Sequence, residues 1–99
     1  MNEAHFSDFA INVINDIAEQ IENHDPEGKL DIDVNGGILS IISNDGTYII
    51  NKQNAAKEIW LSSPISGPFH FSYTDDKWIS RKGDNLFEIL SNELKVTIS

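Results

Sequence analysis

The sequence predicts an α+β fold: a two-layer αβ-sandwich whose antiparallel sheet of five to six strands carries an N-terminal and a C-terminal helix on one face. Three observations carry this. Phe6, Phe9, Ala10, Val13, Ile14, Ile17, Ala18 and Ile21 recur every three or four positions, the spacing of an amphipathic helix. Further on, short alternating or aliphatic runs are separated by clusters of Gly, Asn, Asp and Pro, as in successive hairpins. Leu86, Phe87, Ile89, Leu90 and Leu94 then restore helical spacing. Two helices with one apolar stripe each can share a single sheet face, which leaves the other face partly open to water.

The first helix is expected from about Ala4 to Asn23 and stops before Asp25-Pro26, because a residue preceding proline avoids helical angles. Leu30, Ile32 and Val34 alternate with Asp31 and Asp33, so the next segment reads as a strand with one wet face. Asn35-Gly36-Gly37 makes a tight turn, Ile38–Ser43 a second strand, Asn44-Asp45-Gly46 another turn and Thr47–Asn51 a third strand. Residues 51–56 read as a loop and Lys57–Ser62 as a fourth strand, ended by Pro64, Gly67 and Pro68. Phe69–Tyr73 and Lys77–Arg81 are two more strands joined by Thr74-Asp75-Asp76. Gly83 and the N-cap candidates Asp84 and Asn85 open the second helix. Nothing resembles a linker, a repeat or a low-complexity stretch, so residues 1–99 are expected to form one domain.

Composition narrows the function. A chain of 99 residues has room for one core and buries only about two-thirds of its unfolded surface. Without cysteine there are no disulfides, thiolate metal sites or thiol nucleophiles. No apolar run approaches the length of a membrane span, and no basic, apolar leader opens the sequence, so a soluble protein of the bacterial cytoplasm is expected ahead of a processed mitochondrial form. A net charge of −9 opposes binding to nucleic acid, which needs clustered Lys and Arg.

That charge is concentrated. Residues 1–33 hold nine acids (Glu3, Asp8, Asp16, Glu19, Glu22, Asp25, Glu27, Asp31, Asp33) against one base, Lys29, whereas residues 34–99 are nearly neutral. On a helical wheel Asp8, Asp16, Glu19 and Glu22 fall within an arc of about 120° opposite the apolar stripe. Asp16, Glu19 and Glu22 are three apart, so like charges are neighbours, at a cost of roughly 0.2–0.5 kcal/mol per pair. Glu22 and Asp25 lie at the helix C-terminus, where the macrodipole disfavours anions. A face kept only for solubility normally mixes signs, and this one does not. Carboxylates without thiols suit hard cations such as Fe²⁺, Fe³⁺, Mn²⁺, Ca²⁺ or Mg²⁺, and in the absence of an EF-hand or HExxH pattern binding should be shallow and weakly selective. His5 and His24 stand beside Glu3 and Asp25 and are secondary ligand candidates. The same flank could instead steer a basic protein partner.

In Lys57–Ser62, alternation sends Ile59 and Leu61 to one face and Glu58, Trp60 and Ser62 to the other, so Trp60 is expected on the open face as an interface anchor. Trp78 is undecided between core and surface. Ser, His and Asp are present, but no nucleophile elbow, ordered triad or phosphate-cradling glycine loop is, so a dedicated active site is not expected.

Several runs together resemble the frataxin family: Asn35-Gly36-Gly37-Ile38-Leu39, Tyr48-Ile49-Ile50-Asn51-Lys52-Gln53, Ile59-Trp60-Leu61-Ser62-Ser63-Pro64 and Ser66-Gly67-Pro68, continued by Trp78 and Leu86-Phe87-Glu88-Ile89-Leu90. The similarity runs through the whole chain in order and looks like the bacterial, CyaY-type members. It implies weak binding of iron, with other divalent cations able to substitute, on an acidic ridge at Glu19, Glu22, Asp25, Glu27, Asp31 and Asp33, extended by Glu3, Asp8 and Asp16. It implies a partner surface at Asn51, Lys52, Gln53, Trp60 and His70, contacting the cysteine desulfurase and the scaffold of iron–sulfur cluster assembly. The expected role is iron donor or regulator of that complex; the alternative is iron storage or detoxification, with weak ferroxidase activity on the ridge. A monomer that can oligomerise with iron is implied as well. Ala18, Gln20 and Asn23 are neutral where relatives can be charged, and His70 and Tyr73 stand where mitochondrial relatives carry Arg and Trp. The chain stops soon after the second helix, so the segment that covers the core in some relatives is expected to be missing and stability lower.

Overall fold

The computed structural model describes all 99 residues. Its elements are α1 (Glu3–Asn23), β1 (Asp31–Asn35), β2 (Ile38–Ser43), β3 (Gly46–Gln53), β4 (Glu58–Ser63), β5 (Gly67–Thr74), β6 (Lys77–Ser80) and α2 (Leu86–Leu94). The six strands form one antiparallel sheet in sequence order, each paired with the next, so every sheet connection is a hairpin.

Local chemistry sets the boundaries. Asn2 caps α1, its side-chain oxygen accepting from the His5 N–H at 2.8 Å. After α1, the Asp25 carboxylate accepts from the Lys29 and Leu30 N–H groups at 3.0 and 2.9 Å and fixes the approach to β1. The β1–β2 turn places Gly36 and Gly37 at φ +57° and +86°, the two left-handed positions that a two-residue hairpin needs. The β5–β6 turn achieves the same with Asp75 and Asp76 at φ +51° and +64°, a conformation short polar side chains tolerate.

Register explains the core. Leu39 lies opposite Ile50, Ile41 opposite Tyr48, Ile50 opposite Leu61 and Ile59 opposite Phe71, so all seven share the face that both helices cover. With Phe6, Ala10, Ile14, Ile17 and Ile21 of α1 and Leu86, Leu90 and Leu94 of α2 they form one buried cluster. Each fully buried aliphatic or aromatic side chain contributes about 1.5–3 kcal/mol. Trp78 belongs to this cluster at 4% exposure, stacked on Phe9 and edge-on to Phe6 at ring distances of 5.8 and 6.0 Å.

Three expectations are corrected. Residues 51–53 are not loop: Lys52 and Gln53 pair with Ile59 and Glu58, which shortens the β3–β4 connection to residues 54–57. Pro68 is inside β5 and not a breaker before it, because β6 reaches only as far as Phe71 and leaves β5 unpaired on that side at Pro68. The residues after α2 do not leave the core uncovered. Ile98 is 6% exposed, Gln20 exchanges hydrogen bonds of 2.9 and 3.0 Å with the Ser99 backbone, and the Ile98 N–H donates to Ser91 Oγ.

One polar network is tucked between α2 and the sheet. The hydroxyls of Tyr48 and Ser63 donate to Glu93 Oε1 at 3.0 and 2.6 Å, and Ser66 Oγ donates to Glu93 Oε2. Burial, reinforced by the Glu93 hydrogen bond, pushes the Tyr48 hydroxyl up to about 12.

Candidate functional site: an acidic flank and an open sheet face

The α1 carboxylates point away from the core, as the wheel predicts: Asp8, Asp16, Glu19 and Glu22 are exposed, and the last turn holds no basic residue. Glu19 and Glu22 have no hydrogen-bond or ion-pair partner, whereas Asp16 accepts from Gln20 Nε2 at 2.7 Å. The one salt bridge of the molecule joins Glu27 to Lys29 at 3.1 Å on the surface. Asp25 is committed to the Lys29 and Leu30 amides. Glu3 lies in the first turn of α1, at the end of the helix remote from Glu22.

Asp31 and Asp33 lie on the other side of the sheet. They are opposite Ile42 and Ser40, whereas the intervening Ile32 is opposite the buried Ile41, so both aspartates project from the face away from the helices. The nine acids are therefore divided between the helical layer, the α1–β1 connection and the open sheet face, and do not form a single cluster. No three His, Asp or Glu side chains come together around one point. Such a flank offers one or two carboxylates at a time, with water completing the shell of any cation, and this favours weak binding of hard ions. The His24 Nδ1 donates to the Gln20 carbonyl at 2.8 Å, since a carbonyl can only accept, which turns Nε2 outward at the end of α1.

The open face carries Ile38 and Ile42, half exposed, with Ile49, Asn51, Trp60 and His70 beside them. Trp60 is half-buried, its ring packed against its cross-strand neighbour His70. The His70 imidazole stacks on it with centroids 4.1 Å apart and planes 10° from parallel. The indole N–H donates to Glu58 Oε1 at 2.9 Å. Glu58 consequently sits at 8% exposure, a burial that strand alternation alone did not indicate; its signal was the two-residue spacing to Trp60 on one strand face. A recess of about 140 Å³ lies among Ile49, Asn51, Trp60, Pro68 and His70, and the Asn51 side-chain oxygen is enclosed there without a partner. Asn51 and Gln53 share this face. Lys52 does not: its pairing with Ile59 puts it on the helix side, where its stem lies against Gly37 and Nζ donates to Asn54. The predicted partner-contact set thus divides, with Asn51, Gln53, Trp60 and His70 on one surface and Lys52 on the other.

Known proteins agree with this architecture. The Frataxin-like domain model matches residues 1–99. The mitochondrial frataxin homolog of Saccharomyces cerevisiae is 37% identical over 94 residues, covering 93% of this chain and 53% of that protein. Its Schizosaccharomyces pombe counterpart is 41% identical over 93 residues, covering 88% and 58%. The chain thus spans little more than half the length of these relatives. Among solved structures, a frataxin from Psychromonas ingrahamii, described within the CyaY protein family, superposes with a TM-score of 0.84 at 30% identity, covering 100% of this chain and 97% of that one. A trimeric yeast frataxin complexed with ferrous iron superposes with a TM-score of 0.71 at 34% identity, covering 96% and 84%. With its fold, its family model and its relatives in agreement, the chain belongs to the frataxin family.

Proposed function

We propose that this protein binds iron weakly on its acidic flank and works in iron–sulfur cluster assembly, as iron donor or as regulator of the cysteine desulfurase–scaffold complex. The observation that carries this reading is the uncompensated carboxylate surface of α1, continued by Asp31 and Asp33 at the free sheet edge. Exposed like charges destabilise the helix they sit on, so a ligand that neutralises them repays that cost. The ferrous iron complex of the yeast relative supports iron as the ligand. Iron here is cargo, held by Glu19, Glu22, Asp31 and Asp33 in ones and twos, with Asp16, Asp25, Glu27, Asp8 and Glu3 contributing to the field. The partner surface is the open sheet face, where Glu58 and His70 fix the Trp60 ring beside Asn51 and Gln53.

The test is the rate of cluster formation on a purified scaffold with its desulfurase, with and without the protein and across iron concentrations. A change in rate places the protein on that machinery, and its sign separates donor or activator from brake. An unchanged rate at every iron concentration refutes the proposal. Trp60→Ala should abolish the effect while leaving the melting temperature within a few degrees of wild type, because the ring packs on the surface and not in the core.

A further inference from the structure

The two edges of the sheet are treated differently by the chain itself. The β6 edge is covered: Ile79 bridges to Asn85, the Ser80 N–H donates to the Asp84 carbonyl at 2.8 Å, and the Gly83 N–H returns to the Ser80 carbonyl at 3.0 Å. The β1 edge is bare. Asp31 to Asn35 pair one-for-one with Ile42 to Ile38, without a bulge, and no other segment of the chain hydrogen-bonds to β1. Four of its five residues are exposed, among them Val34 at 41%. Lys, Pro and a bulge, three of the devices that guard a free edge, are missing, and the only charges on it are Asp31 and Asp33.

From this arrangement we infer that the β1 edge receives an extended segment of a different polypeptide as a seventh strand, one that alternates basic with aliphatic residues. Strand addition supplies partners for the outward backbone groups of β1, and side chains at alternate positions supply selectivity. On the open face, residues opposite Asp31 and Asp33 are Lys or Arg, because an opposite-charge cross-strand pair is favourable and a like-charge pair is not. On the helix side, residues opposite Ile32 and Val34 are aliphatic and extend the apolar layer that Ile32 already joins. A second copy of this chain is the wrong occupant. Two β1 strands paired about their centre bring Asp33 against Asp33, and the other edge is already covered. The segment therefore comes from a partner, and its charge pattern is the complement of β1.

The experiment needs neither metal nor assembly machinery, so its failure leaves the proposed function standing and the reverse also holds. The probe is an acetylated peptide of about six residues alternating lysine and valine, a typical strand length. Its control is the same peptide N-methylated at every backbone amide, which keeps the charge but removes the donors of both strand edges and so blocks strand pairing. Binding is followed by amide chemical shifts and hydrogen exchange. The expected result is shifts centred on residues 31–35, at least about tenfold slower exchange of the outward β1 amides, and at least about tenfold weaker binding of the methylated peptide. Asp31→Lys with Asp33→Lys, both on exposed positions, should weaken binding by a similar factor while keeping the circular dichroism melt. Equal affinity for the methylated peptide, shifts confined to α1, or no binding would each overturn the inference.

Discussion

Tyr48→Phe isolates the half-buried network that ties α2 to the sheet. Tyr48 is fully buried, and its hydroxyl donates to Glu93 Oε1 at 3.0 Å, while Ser63 and Ser66 keep Glu93 hydrogen-bonded when the tyrosine oxygen is removed. At neutral pH the substitution should therefore cost about 1 kcal/mol, one hydrogen bond with no orphaned carboxylate, or about 4–8 °C in melting temperature. Alkaline pH changes this. The hydroxyl is raised from 10.0 to about 12 in the folded protein, so its contribution is intact below pH 10 and is lost as pH rises through 12. At pH 11 the linkage removes up to about 1.4 kcal/mol from the wild type, and roughly half of that where water reaches the half-buried Glu93 and screens it. Phenylalanine has no proton to lose. Tyr73, raised by desolvation and by the Asp76 hydrogen bond, is present in both proteins and cancels. Urea midpoints at pH 7.5 and pH 11 should thus show the gap between mutant and wild type closing by about 0.7–1.4 kcal/mol. A gap of constant size at both pH values refutes the burial argument for Tyr48.

Gly46→Ala should cost about 1–3 kcal/mol, because Gly46 has φ +129° and a Cβ would stand 2.8 Å from Pro64 Cβ; an unchanged melting temperature would show that the turn relaxes freely. Ile98→Ala should cost about 2–4 kcal/mol, as for other core truncations, and a value below about 0.5 kcal/mol would mean that the tail does not cover the core in solution. Glu19→Gln with Glu22→Gln should raise stability by a few tenths of a kcal/mol per relieved pair. The same double substitution should shrink the rise in melting temperature that Fe²⁺ gives beyond sodium chloride of equal ionic strength, and an undiminished rise would remove these two residues from the cation surface.

Most of the fold was legible because its signals are local. The α1 stripe, the Gly36-Gly37 turn and the Asn85 cap each depend on residues within a few positions of one another. What was not legible depends on pairing partners far along the chain. Trp78 could not be assigned because its burial is decided by Phe6 and Phe9, some seventy positions away. Pro68 looked like a breaker because its tolerance depends on where β6 stops. Glu93 gave no signal at all: its partners Tyr48, Ser63 and Ser66 are distant in sequence and meet it only when α2 docks. Gln20 read as a neutral gap in an acidic surface, yet it is the residue that clamps the Ser99 backbone.

The candidate site was legible as a list of residues but not as surfaces, and the difference matters for function. Strict two-residue alternation assigns Asn51 and Gln53 to the open face and Lys52 to the helix side, so one contiguous run in sequence serves two surfaces. The same alternation splits the acids. Glu19 and Glu22 belong to the helical layer, whereas Asp31 and Asp33 share a face with Trp60 and His70. Under the proposed function, a cation on α1 stays in solvent when a partner covers the open face, but a cation on Asp31 or Asp33 lies on the side that the partner approaches. Delivery and docking therefore meet at the β1 edge, and the two aspartates there, not the more numerous carboxylates of α1, are the ones whose charge a docked partner must answer.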